Sequence, residues 1–295
     1  MTAITRLQLW PLRVLWVGLA LVAGGPVSDA LAGRSTPVAA VIVVASWTGW
    51  GAMLVALLVP RTSSLTVVRV LAPAAWVGAI AAAAAASNDG SLLTVAMLSL
   101  ASGCVVLAFA PWVTDAFVDG SSYGPERRLA LRTPLTIALV AVVTWAAVVV
   151  GASAGPLLLA AEQWLIGAIS LGAGTGVVVL GSRSLHQLSQ RWVVFVPTGM
   201  VLHDPMTLPE PQLFLRQTMR RMGPAEADAP ADLLTEDLTA GASGLVVELV
   251  LDEPVDLLVR QGRAAATRAV DRVLFTPALP AALLDEARRN RLPVA

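Results

Sequence analysis

The chain has 295 residues, of which 56% are hydrophobic and 14% charged, and its net charge is zero. Ordinary soluble domains average roughly 45–50% apolar and about 25% charged residues, so this composition excludes a typical soluble protein. The mean hydropathy of +0.74 agrees, and the neutral balance carries no electrostatic signature of nucleic-acid binding.

The charges divide the chain into two parts. Residues 183–295 contain 12 of the 20 arginines and 14 of the 20 acidic residues, and there is no lysine. We therefore predict a transmembrane domain at 1–182 and a cytoplasmic domain at 183–295.

Six segments of the first part are apolar over about the 20 residues that a helix needs to cross a bilayer. They lie at 9–31, 38–59, 67–86, 92–113, 134–151 and 163–181. Turn-forming or charged residues separate them, for example at 87–90 and 151–156. The sequence predicts an all-α bundle of six transmembrane helices.

Arginines indicate how this bundle is oriented. They concentrate in alternate connections, at Arg6 and Arg13, Arg61 and Arg69, Arg127, Arg128 and Arg132, and Arg183 and Arg191. The other connections carry only Arg34. By the positive-inside rule we expect a multi-pass protein of a bacterial inner membrane with both termini in the cytoplasm.

The first apolar segment has a second interpretation as a signal peptide. Two arginines precede the apolar run 14–25, and Ala30-Leu31-Ala32 offers a small-residue cleavage site. Cleavage there would leave five spans and a cytoplasmic C-terminus.

Glu162 is the acidic residue set most deeply in apolar sequence. Intramembrane carboxylates are candidate proton or cation sites, so Glu162 is the residue on which a small transporter or permease subunit would depend. The alternative is an anchoring residue at the membrane surface, because Gly155-Pro156 could begin an outer segment.

Gly172 and Gly176 form a small-xxx-small pair in the sixth predicted span. Such a pair lets another helix approach closely. It predicts helix packing, within the bundle or in a homodimer.

The segment from Asp115 to Arg128 contains the only tyrosine, Tyr123, together with both signs of charge. As a functional element it could dock on the C-terminal domain, with Arg127 and Arg128 also attracting anionic headgroups. Alternatively, it is a tight loop that supplies cytoplasmic positive charge.

A membrane enzyme would use the polar residues of this same segment. Asp119, Tyr123 and Glu126 could position a headgroup, but no nucleophile or metal-binding pattern accompanies them. We therefore predict a protein that is not an enzyme, without catalytic residues, cofactor or metal.

The second part alternates between β-rich runs and turns. The run 192–196, the turn Pro197-Thr198-Gly199 and the run 200–203 predict a hairpin. Residues 212–222 look helical, strands are predicted at 244–251, 255–260 and 270–276, with an acidic turn at 252–254, and an amphipathic helix closes the chain at 280–291. The prediction is a small β-rich α+β domain.

Several strands followed by one helix, directly after a span, resemble the pleckstrin-homology-like domains of bacterial membrane-anchored proteins. The residues that carry the resemblance are 191–203 and the run 272–277 before the final helix, so it covers at most 190–295. The resemblance implies a non-enzymatic binding or scaffolding module and transfers no catalytic residues. The partners we expect are the lipid bilayer and a protein or a second copy of the chain.

Overall fold

The chain forms two compact units in a computed structural model that describes residues 7–86, 91–226, 234–262 and 264–295. One unit comprises Met1–Gly120 with Ala141–His186, and the other Ser121–Val140 with Gln187–Ala295. The charge distribution predicts a single boundary near residue 182, whereas the segment 121–140 also belongs to the second unit. Arg6 and the turn predicted at 87–90 lie outside the described residues.

Long apolar helices dominate the first unit. In chain order the helices are α1 (Trp10–Leu31), α2 (Thr36–Leu58), α3 (Thr62–Ala85), α4 (Leu92–Ala108), α5 (Pro111–Asp119), α6 (Leu135–Ala160) and α7 (Trp164–Leu188). Among the described residues, five are long and apolar enough to cross a membrane, or six if the bent pair α4–α5 is one span.

The fourth predicted span is not one straight helix. The chain bends by 61° between α4 and α5. Ala110, with φ −64° and ψ 135°, is extended because the ring of Pro111 disfavours helical geometry in the residue before it. Pro111 itself fits the first turn of α5, where its missing N–H has no helical acceptor.

The fifth predicted span continues beyond its predicted end at 151. Helix α6 runs through Gly151 and Pro156 to Ala160, so the loop predicted at 151–156 is wrong. A glycine only weakens a helix, and apolar helices tolerate an internal proline when neighbours satisfy the freed backbone groups.

Tryptophans link the helices of the first unit by hydrogen bonds to backbone. Trp16 Nε1 donates to the carbonyl oxygen of Trp50 at 3.0 Å, and Trp50 Nε1 donates to that of Trp16 at 3.2 Å. Trp145 Nε1 donates to the carbonyl of Val70 at 3.0 Å. These bonds join α1 to α2 and α6 to α3.

The second unit is a β-sandwich with one C-terminal helix. Its strands are β1 (Arg127–Ala130), β2 (Trp192–Val196), β3 (Gly199–His203), β4 (Gln212–Leu215), β5 (Met219–Pro224), β6 (Thr235–Asp237), β7 (Val247–Gln261) and β8 (Ala264–Phe275), and the helix is α8 (Pro280–Arg289). The first sheet has the order β1-β2-β3-β4 and the second β5-β7-β8-β6. All neighbours are antiparallel except β6, which is parallel to β8.

One core fills the sandwich. It takes side chains from both sheets and from α8, among them Phe195, Phe214, Phe275 and Leu283, none more than 2% exposed. The predicted hairpin at 192–203 is confirmed with a two-residue turn, since Val196 pairs with Gly199. The predicted C-terminal helix is confirmed as α8.

Two element predictions in this unit are wrong. Residues 212–222 form β4, a short 3₁₀ turn at Arg216–Thr218 and β5 rather than a helix. The turn shifts the phase of the alternation between the strands, which hides the period of two. The acidic stretch 252–254 is a register irregularity within the single strand β7, because a bulge accommodates extra residues without ending the strand.

Candidate functional site

The segment between α5 and α6 completes the first sheet of the sandwich. Strand β1 pairs with β2 from Arg127 opposite Phe195 to Ala130 opposite Trp192. Leu129 points into the core and is 2% exposed. Of the two interpretations of this segment, the structure agrees with docking, which takes the form of backbone pairing at a sheet edge and brings Arg127 and Arg128 onto the sandwich.

Arg128 lies at one end of a stack of side chains on the outer face of the first sheet. Its guanidinium is 5.7 Å from the ring centre of Trp192 and 3.3 Å from a carboxylate oxygen of Glu126. The ring of Trp192 stacks on His203 with centres 4.5 Å apart and planes inclined by 6°. His203 Nδ1 donates to the carbonyl of Gln190 at 2.7 Å. The Trp192 ring thus contacts both the Arg128 guanidinium and the His203 ring.

The rest of the outer face is apolar. Because side chains alternate along a strand, the face comprises Trp192, Val194, Val196, Val201, Leu213 and Leu215 in addition to Arg128 and His203. Leu213 is 44% exposed and Leu215 38%. Antiparallel sheets usually carry polar residues on a face that meets water. The outer face therefore has the character of a contact surface.

A fully buried ion pair lies at the base of the β2–β3 hairpin. Arg191 donates from Nε to Asp204 Oδ1 at 2.8 Å and from Nη2 to Oδ2 at 2.6 Å, and the two side chains are 1% and 0% exposed. Arg191 Nη1 also donates to the carbonyl of Arg132 at 2.7 Å. Since Arg132 shortly precedes α6 and Arg191 follows α7, the pair joins the segments that connect the sandwich to these two helices.

Sequence reasoning missed this pair although the sequence contains its signal. From the sequence, Arg191 is interpreted as a positive charge beside a span and as the first residue of the stretch 191–203, with no partner assigned to it. A hairpin centred on Pro197-Thr198 puts residues 191 and 204 directly opposite each other. Opposite charges at such positions predict a cross-strand pair.

The short helix α5 carries buried acidic residues in the first unit. Asp115 and Asp119 are both 4% exposed, although we expected them in a loop. The neighbouring Thr114 hydroxyl accepts a hydrogen bond from Arg69 Nη2 at 2.8 Å. Arg13 donates from Nε and Nη2 to the carbonyl of Leu57. Arginines attributed to surface charge thus bind groups inside the helical unit.

Glu162 lies in the turn between α6 and α7, where it is exposed and has φ +64°. Its N–H donates to the carbonyl of Leu159 and that of Gln163 to the carbonyl of Leu158. These two bonds form the Schellman motif that commonly ends helices, with Glu162 at the left-handed position usually held by glycine. Such a turn residue is suited to ending a helix at a surface and gives no support to a buried coupling role.

Three further residues singled out in the sequence analysis have few close neighbours in the structure. Tyr123 is 86% exposed, and its backbone bonds with Glu126. Gly172 and Gly176 face open space. The glycines in contact are others: a side chain on Gly174 would overlap the carbonyl oxygen of Gly151, so α6 and α7 pack through that pair.

The described residues do not combine into a recognisable catalytic or metal centre. No group of three or more His, Cys, Asp or Glu side chains that could hold a metal occurs within 7–86, 91–226, 234–262 and 264–295. The features best suited to binding are the outer face and its stack. Comparison with known protein families, with curated proteins and with solved structures finds no match.

Proposed function

We propose that this chain is a non-enzymatic, multi-pass membrane protein whose sandwich is a cytoplasmic interaction and scaffolding domain. The outer face of the first sheet is its contact surface, and the occupant is a protein. The observation that carries the proposal is this face, where the exposed Leu213 and Leu215 share one side of the sheet with the stacked Trp192.

The helices support the membrane part of the proposal. Among the described residues, five helices of 22 to 26 residues each contain an 18-residue window apolar enough to span a membrane, and at most 17% of that window is buried within the chain. So much exposed apolar surface is stable in hydrocarbon and costly in water. The arginine distribution favours an inner membrane with both termini in the cytoplasm.

The sandwich supports the scaffolding part. The chain joins it to the helices on both sides of β1 and again before β2, and the Arg191–Asp204 pair binds two of these connections together. A pleckstrin-homology-like relationship would agree with a binding module of this kind.

The chemistry of the outer face favours a protein over water as its neighbour. Aromatic residues and arginine are enriched at the centres of protein interfaces, whereas lysine and acidic residues are depleted. Trp192 and Arg128 provide the first two, and Glu126, the acidic residue in the stack, is paired with Arg128. The rigid indole is the natural anchor residue of such a contact.

Photo-crosslinking in intact cells tests this proposal on the full-length protein. A photoreactive residue at Leu213 or Leu215 should yield one protein adduct of the same size, because both side chains project from the outer face. The matched control is Asp256, an exposed residue of β7, which should yield no such adduct. An adduct twice the size of the chain would identify a second copy as the partner.

A further variant decides whether the adduct reports on the outer face. Val201→Glu puts a charge at the centre of the face and should abolish the adducts at both leucines. Adducts that persist in this variant, or that form equally at Asp256, would overturn the proposal. So would lipid adducts alone.

A further inference from the structure

A groove runs between α3 and α7 in the helical unit. Its volume is about 430 Å³, within the range of sites that hold small molecules. It is lined by Ser63, Thr66, Val67, Val70, Leu71, Ser182, Arg183 and His186. A contact of 2.9 Å between Thr66 Oγ1 and His186 Nδ1 connects its two walls.

The two walls differ in chemistry. Helix α3 supplies Ser63 and Thr66 in its first turns, followed by Val67, Val70 and Leu71, which form an apolar strip about one turn long. Helix α7 supplies Ser182 and Arg183, which offer a hydroxyl and a guanidinium. A ligand that fits both walls has an apolar chain beside a polar, hydrogen-bonding group.

The charge of the groove selects the sign of that polar group. No acidic residue is among those that line it. Arg183 is exposed, and it forms no ion pair with any residue in the described part of the chain. The other arginines of the helical unit that point inward, Arg13 and Arg69, already bind groups on neighbouring helices. Arg183 is thus available to an anion.

We propose that this groove binds one anionic phospholipid, with its phosphate at Arg183 and Ser182 and an acyl chain along Val67, Val70 and Leu71. The inference rests on the proposed membrane insertion. Basic sites between transmembrane helices on the cytoplasmic side are where anionic headgroups bind, and the arginine distribution assigns Arg183 to that side. The apolar wall favours a lipid over free phosphate, which would leave that wall uncovered.

Native mass spectrometry of the purified full-length protein tests the assignment. After exchange into detergent with palmitoyl-oleoyl phosphatidylglycerol, one lipid per chain should remain bound, whereas palmitoyl-oleoyl phosphatidylcholine should be lost. Arg183→Gln should weaken phosphatidylglycerol retention about tenfold, since it removes a charge-assisted contact. Arg183→Lys should retain most of the binding, and millimolar inorganic phosphate should not displace the lipid.

Arg61→Gln is the matched control. Arg61 is an exposed arginine close to the start of α3 but outside the groove lining, so its loss should leave retention unchanged. Equal losses in Arg61→Gln and Arg183→Gln would mean general attraction to headgroups and would overturn the site. Equal retention of the two lipids, or displacement by phosphate, would do the same.

Failure of the site and failure of membrane insertion give different results. If the chain is a membrane protein without this lipid site, it stays in the membrane fraction at alkaline pH while the lipid experiment fails. If the wild-type protein dissolves without detergent, the proposed function fails first, and the lipid assignment falls with it.

Discussion

The helical unit and the sandwich handle apolar surface in opposite ways. Large apolar side chains are exposed along all the long helices, for example Leu21, Val44, Val143 and Leu180, each more than 59% exposed. In the sandwich, most such residues turn inward, with Phe195, Phe214 and Phe275 almost fully buried. One unit thus exposes many large apolar side chains, and the other buries most of them.

The difference determines what stabilises each unit. Apolar burial drives the folding of the sandwich, at roughly 25 cal/mol per Å² removed from water. If the helical unit lies in lipid, as proposed, this driving force is absent between its helices, so close backbone packing and interhelical hydrogen bonds must replace it. The Gly151–Gly174 contact and the tryptophan hydrogen bonds supply both in the helical unit. Substitutions in the two units should therefore act through different mechanisms.

The largest loss of stability is expected when the buried ion pair of the sandwich, Arg191–Asp204, is broken. Asp204→Ala leaves the Arg191 guanidinium buried without its partner and should lower the free energy of unfolding by about 3–5 kcal/mol. Pulse proteolysis of the full-length protein in detergent, at increasing urea, measures this through cleavage within the sandwich.

The matched control is the exposed pair of the same unit. Arg220 and Asp252 lie 3.2 Å apart with side chains 63% and 50% exposed, so Arg220→Ala should cost at most about 1 kcal/mol. The double variant Arg191→Met with Asp204→Leu should recover part of the lost stability, because it removes both charges. Equal losses from Asp204→Ala and Arg220→Ala would contradict the burial on which the prediction depends.

The next largest effect on stability is expected in strand β1, which lies between α5 and α6 in the sequence. Leu129→Ala should destabilise the sandwich by about 2–4 kcal/mol, because it opens a cavity in the shared core. Tyr123→Ala, six residues earlier and 86% exposed, should change stability by less than about 0.5 kcal/mol. The same proteolysis experiment measures both. If Leu129→Ala left the stability of the sandwich unchanged, β1 would not be part of its core.

In the helical unit, substitution by alanine should change the stability differently at two nearby glycines. Gly174→Ala forces α6 and α7 apart at Gly151 and should lower the unfolding free energy by about 1–3 kcal/mol. Gly172→Ala meets open space and should be neutral or slightly stabilising, since alanine favours helix. Thermal unfolding in detergent compares them. A Gly172→Ala variant with a lower melting temperature than Gly174→Ala would reverse the assigned faces.

These glycines show where sequence reasoning ends. The spacing of Gly172 and Gly176 identifies a face that permits close approach, but it does not say which face meets a neighbour. That depends on the position of α6, which no local pattern contains. The approximate positions of the long helices were predictable from length and hydropathy, whereas the break before Pro111 and the continuation of α6 past Gly151 were not.

The sandwich was predictable only where its contacts are local. The hairpin at 192–203 follows from a two-residue turn, and α8 follows from its own periodicity. Strand β1 has four residues, and its partner β2 begins more than 60 residues later, so no local pattern reveals the pairing. The Arg191–Asp204 pair is an intermediate case, since the predicted hairpin already puts the two residues opposite each other.

The smallest effect on stability is expected at Glu162, the residue on which the transporter alternative depends. Its φ of +64° is uncommon for a residue with a side chain and costs roughly 1 kcal/mol that glycine avoids. Glu162→Gly should therefore raise the unfolding free energy by up to about 1 kcal/mol, whereas Glu162→Gln, which keeps the side-chain shape and removes the charge, should leave it unchanged. Thermal unfolding in detergent measures both changes.

A coupling carboxylate predicts a different pattern, in which both variants abolish an ion-dependent flux in proteoliposomes that the wild-type protein catalyses. Higher stability of Glu162→Gly, with no such flux in the wild-type protein or in either variant, supports the role of Glu162 as a turn residue. A flux that the wild-type protein catalyses and both variants lose would favour the transporter function.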